Sequence, residues 1–145
     1  MISSSVNTTA KVQALVNAYN AVLTLADGTA GNATQSVSLP QLVAIGVDTT
    51  ALQAASNANT RLGLLNNLID AQSTTGVDTV NEINQLVRIV NAIQDQAAGV
   101  TPSYTLTASD FSQLGIVGVT SANLAAFMTG IQDSADNGTE VDTRS

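Results

Sequence analysis

Residues 77–93 read Val77-Asp78-Thr79-Val80-Asn81-Glu82-Ile83-Asn84-Gln85-Leu86-Val87-Arg88-Ile89-Val90-Asn91-Ala92-Ile93, and this stretch decides the fold class. Val80, Ile83, Leu86, Val87, Val90 and Ile93 recur three and four residues apart, which lines apolar side chains along one stripe of an α-helix. Thr79 followed by Glu82 has capping-box spacing: the hydroxyl takes an orphan amide of the first turn and the carboxylate reaches back to the cap's own amide. Asp78 beside them complements the positive end of the helix dipole. Gly99 stands where the chain must leave the helix through a left-handed residue.

The same grammar occurs earlier in the chain. Val6-Asn-Thr-Thr-Ala-Lys-Val-Gln-Ala-Leu-Val16 lies against Val77 to Val87, and the helix it opens carries Val12, Leu15, Val16, Tyr19, Val22 and Leu23 up to Gly28, the counterpart of Gly99. Polar linkers follow at 29–36 and 100–105. A second pair of blocks, Val37 to Val47 and Leu106 to Ile116, matches Leu42 with Phe111, Ile45 with Leu114 and Gly46 with Gly115. Each reads as a short helix opened by a capping-box pair (Ser38 with Gln41, Thr107 with Asp110) and ended by the glycine, with Pro40 tolerated in the first turn. A third helix carries Leu62, Leu65, Leu68 and Ile69 in one copy and Leu124, Phe127, Met128 and Ile131 in the other, where Thr120 or Ser121 is the natural cap.

Matched positions lie 71, then 69, then 62 residues apart, so the first copy has seven extra residues between Gly46 and Leu62. Seven is close to two helical turns. Thr49, Thr50 and Leu52 therefore either lengthen the third helix or form one of their own. Val77-Asp78-Thr79 recurs as Val141-Asp142-Thr143, the opening of a third unit. The expectation is an all-α chain of two tandem helical units of roughly 70 residues, about three helices each, at 1–76 and 77–145. Chance similarity in an Ala/Thr/Val-rich chain is the alternative to the repeat, and the ordered succession of blocks argues against it. An all-β reading draws on Gly115-Ile-Val-Gly-Val119, but such windows are short beside the helical stripe.

Composition removes most chemistry. Among 145 residues there is no Cys and no His, which excludes disulfides, thiolate nucleophiles, His-containing triads and most transition-metal sites. A net charge of −7 and a pI of about 4.1 repel a phosphate backbone or an anionic bilayer, so neither nucleic acid nor membrane insertion is expected. Aromatic residues make up 3% of the chain, too few for base or sugar stacking platforms. No run of about 18 apolar residues exists to span a bilayer, and Met1 to Ala10 lacks a signal-peptide pattern, so the chain reads as soluble. Met1 and Arg144-Ser145 read as additions flanking an excised segment.

Leu114-Gly-Ile-Val-Gly-Val-Thr-Ser-Ala-Asn-Leu124, Asp136-Asn-Gly-Thr-Glu-Val-Asp-Thr143 and Val77 to Ile83 resemble a repeat of very large bacterial surface proteins, adhesin-like and often secreted by a type I route. The resemblance implies an extracellular location at the bacterial cell surface, a stalk-like or adhesive role, and no catalytic residues. The first copy departs from that repeat, with Ala71 to Thr75 in place of the acidic loop.

Candidate sites are few. Asp133, Asp136, Asn137, Glu140 and Asp142 form the most acidic stretch and are the calcium candidates, although Ala135 and Arg144 occupy positions where an EF-hand needs a carboxylate or amide and a bidentate Glu. Asp70, Asp78 and Glu82 are the candidate paired carboxylates for acid/base work, but helix-end and capping roles account for them more simply. Lys11, Arg61 and Arg88 are dispersed and read as surface partners of nearby acids. Tyr19, Tyr104, Phe111 and Phe127 read as packing residues. The structural caps are Thr79, Glu82, Gly28, Gly99, Gly46 and Gly115. The function expected is a non-catalytic spacer whose partners are neighbouring repeats, with no cofactor; the alternative is an adhesive module that binds a glycan or protein, assisted by calcium.

Overall fold

The computed structural model describes residues 8–133, and every regular element in that range is helical. In chain order these are α1 (Thr9–Leu25), α2 (Leu39–Ala44), α3 (Thr50–Ala54), α4 (Ala58–Ala71), α5 (Val80–Ala97), α6 (Ala108–Gln113) and α7 (Leu124–Asp133), with a 3-10 turn at Thr74–Gly76 between α4 and α5.

Local chemistry sets the helix ends. At α5, Thr79 Oγ1 accepts the Glu82 amide at 3.3 Å while Glu82 Oε2 accepts the Thr79 amide at 2.9 Å. The helix closes where the Val100 amide donates to the Asp95 carbonyl at 2.8 Å around Gly99, whose φ of +69° an L side chain resists. Helices α2 and α6 are six residues each and end alike: Val47 donates to the Leu42 carbonyl at 3.0 Å around Gly46, and Ile116 to that of Phe111 at 2.9 Å around Gly115. Thr107 and Asp110 open α6 with a reciprocal pair, and at α2 the Gln41 side-chain oxygen accepts the Ser38 amide at 2.9 Å.

Gly28 plays a different part from Gly99. Helix α1 has already ended at Leu25, and Gly28 sits in a turn beyond it in which Asp27 Oδ1 accepts the Thr29 amide at 2.8 Å. The extra residues of the first half form a helix of their own: α3 stops at Ala55, whose ψ of 143° is extended, before α4 begins at Ala58. Leu52 anchors α3 and is fully buried. The strand-like run Gly115 to Val119 is no strand, because Gly115 and Gly118 both take positive φ and Val117 projects into solvent.

Helix α4 packs along α5 in the middle of the molecule, α1 rests on α2 and α4, α7 on α5, and α3 bridges α4 and α5. One buried core runs through them all, from Val22, Leu42 and Leu52 through Leu65, Ile69, Ile83 and Val90 to Phe111 and Leu114. Phe111 meets Phe127 edge to face, with ring centroids 4.9 Å apart, the favoured aromatic geometry. No helix among the described residues is long and apolar enough to cross a membrane.

Candidate functional site: the joint between α4 and α5

The polar groups with the most demanding environment lie where α4 crosses α5. Arg61 is only 7% exposed. Its Nε donates to Asn57 Oδ1 at 2.7 Å, one terminal nitrogen to Asn91 Oδ1 at 3.1 Å, and the other to Asp95 Oδ1 at 2.6 Å in an ion pair. Asn57 in turn donates to Oε1 of the fully buried Gln94 at 2.9 Å. A surface role for Arg61 is thereby overturned: its position at three, four and seven residues before Leu64, Leu65 and Leu68 puts it on the apolar stripe of α4, where the guanidinium must find partners inside the joint. That spacing was readable from the chain. Arg88, by contrast, is exposed on the outer side of α5.

Further bonds stitch the segment before residue 77 to the segment after it. The Asp48 amide donates to Asn84 Oδ1 at 2.8 Å, Gln72 Nε2 to the Gln113 carbonyl at 3.0 Å, and the Tyr19 hydroxyl to the Asp78 carbonyl. Burial, and then the Asp78 and Glu82 charges, push the Tyr19 hydroxyl up from its ordinary 10.0. Within the second half, the buried Asp110 accepts from the Tyr104 hydroxyl at 3.0 Å and from Gln85 Nε2 at 3.1 Å.

Asp70, Asp78 and Glu82 do not form one constellation. Asp78 and Glu82 sit together at the start of α5, where the Thr79 hydroxyl bond holds Glu82 below 4.5, and desolvation followed by the neighbouring Glu82 holds Asp78 above 3.8. Asp70 instead faces the loop after α1, accepting the Gly31 amide at 2.6 Å. No three carboxylates come together to hold a metal ion among the described residues. Of the calcium candidates, Asp133 ends α7, and Asp136, Asn137, Glu140 and Asp142 lie outside the described residues.

The joint also exposes a contrast between matched positions. On α5, which packs along α4 and also meets α3 and α7, Ile83 is 0% and Val87 4% exposed; their counterparts on α1, Val12 and Val16, are 45% and 44% exposed. No known protein family, curated protein or solved structure matches the chain.

Proposed function

We propose that the chain is a non-catalytic structural module of a long array at the bacterial cell surface, in which successive helical units stack through joints like that between α4 and α5. The contrast between Val12/Val16 and Ile83/Val87 carries this reading. The stripe is sealed on α5 by the preceding helix and left open on α1, so the α1 face is the seat for the last helix of a preceding unit. On α7 the exposed Ala125, Ala126 and Gly130 are small enough to let such a backbone approach closely. Stacked repeats behave in this way, each burying against its neighbours what it cannot bury alone.

The test is a head-to-tail fusion that joins Thr143 of one copy directly to Thr9 of the next, which preserves the register of Val141-Asp142-Thr143 on Val6-Asn7-Thr8. Val12→Asp is expected to shift the stability of the single chain by no more than about 0.5 kcal/mol, as exposed sites do. In the second copy of the fusion the same change is expected to cost about 2 kcal/mol or more, because the charge is then desolvated. Equal, small costs in both contexts would sink the array reading. Saturable binding of the single chain to one glycan or host protein would replace it with the adhesive one.

A further inference from the structure

A cleft of about 310 Å³ opens between the end of α1, the loop that follows it and the end of α4, lined by Leu25, Asp27, Asn32, Thr34, Gln35 and Asp70. Asp70 is 1% exposed, and its Oδ1 is buried with no donor in reach; the Gly31 amide satisfies only Oδ2. A buried polar oxygen without a partner is rare in folded proteins and calls for a donor or an ion. The second acid of the cleft, Asp27, is held below its ordinary 3.8 by the Asn32 side chain and the Thr29 amide, so it is ionised at neutral pH. No Lys or Arg lines the cleft, and Arg61 is committed to Asp95.

The matching place in the second half gives an internal comparison. There a cleft of about 180 Å³ is lined by Gln96, Gly99, Thr101, Pro102 and Gln132, and the residue matched to Asp70 is Gln132. Its amide oxygen accepts from Gln96 Nε2 at 3.3 Å, so two neutral side chains satisfy one another. The two clefts share a position and differ in charge. Only the first carries carboxylates, and it carries them without a counter-charge.

We propose that the Asp27–Asp70 cleft is a site for a hard divalent cation, calcium by preference. Its polar side chains offer oxygen from Asp, Asn, Thr and Gln with no sulfur or imidazole, the donor set calcium takes at six to eight ligands, with water filling the remaining positions. Two carboxylates give the weak end of the calcium range, a Kd of about 10⁻⁴–10⁻³ M, typical of extracellular modules. Magnesium, which demands near-ideal octahedral geometry and gives up its waters reluctantly, binds more weakly. The cation would tie the loop after α1 to the end of α4.

Calorimetric titration of calcium into the full chelator-treated chain at pH 7, paired with melting curves, tests the site. One saturable equivalent and a calcium-dependent rise in Tm are expected for the wild type and for the combined Asp133→Asn, Asp136→Asn, Asp142→Asn variant. Asp70→Asn and Asp27→Asn are each expected to weaken binding at least tenfold. Asp70→Asn keeps the shape and the acceptor for Gly31, and in chelator it should melt no lower than the wild type; should it fail to fold, Asp27→Asn on the exposed loop decides alone. The proposal is overturned if the wild type shows no saturable calcium binding, if binding survives loss of the cleft carboxylates, or if it disappears only in the combined variant.

Discussion

Arg61 shows how one side chain changes the meaning of a sequence. Its fork reaches three polar side chains of the joint, Asn57, Asn91 and Asp95, and Asn57 extends the network to Gln94. Arg61→Ala should cost about 3–5 kcal/mol by leaving Asp95 and the amides without their donor, read as a drop in the urea midpoint. Arg61→Met combined with Asp95→Leu should recover most of that loss, since an apolar pair of similar volume removes the need for partners. A combined variant no more stable than Arg61→Ala would show that the network itself, and not the stranded charge, holds the joint. The residue scale is also where reading from sequence ran out. Arg61 lies on the same stripe as Leu64, Leu65 and Leu68, yet the identity of its acid, 34 residues away, belongs to the packing of two helices and has no local signature. Asp70 is the same kind of case: its position at a helix end was plain, and its orphaned oxygen was not.

At the scale of elements, the longest helices were the most legible. Helix α5 announces itself by 18 residues of periodic pattern between a capping box and a left-handed glycine, and α6 by its own box and glycine. Helix α3 has five residues, less than two turns, so periodicity could not separate it from an extension of α4. What separates them is the extended backbone at Ala55, after which α4 starts afresh at Ala58. The glycines give a test with opposite signs. Gly63 lies inside α4 with ordinary helical φ and open space where a Cβ would go, so Gly63→Ala should stabilise by about 0.5–1 kcal/mol. Gly99 has equally open space but φ of +69°, and Gly99→Ala should destabilise by about 1–2 kcal/mol. Thermal melts of the two variants check both; a loss at Gly63 or a gain at Gly99 would contradict the backbone assignment.

For the whole molecule, the decisive feature is that α5 serves both halves. It receives α4 on one side and α7 on another, and its apolar residues belong to a core continuous from Val22 to Leu114. The halves therefore share their stability, and Leu86→Asp, which forces a carboxylate into a position 4% exposed, should abolish folding of both together. Tyr19 in α1 and Tyr104 before α6 provide fluorescence reporters on either side, and circular dichroism reports the whole. In the wild type the signals should coincide in one urea transition; a variant that retains a cooperative transition for the first half would show two independent cores.

The burial of Arg61 has a consequence for survival among proteases. The chain has only four basic residues, so trypsin-like enzymes have few bonds to attack, and those after Arg61 and Arg88 lie inside α4 and α5. A protease needs an extended strand of substrate in its cleft, which a helix denies it until the backbone opens, and at Arg61 the specificity side chain is itself held by Asp95. Cleavage in the middle of the molecule is thus gated by unfolding of the joint. An acidic, lysine-poor chain folded in this way is shielded from trypsin-like cleavage at its centre by the same contact that binds its halves into one body.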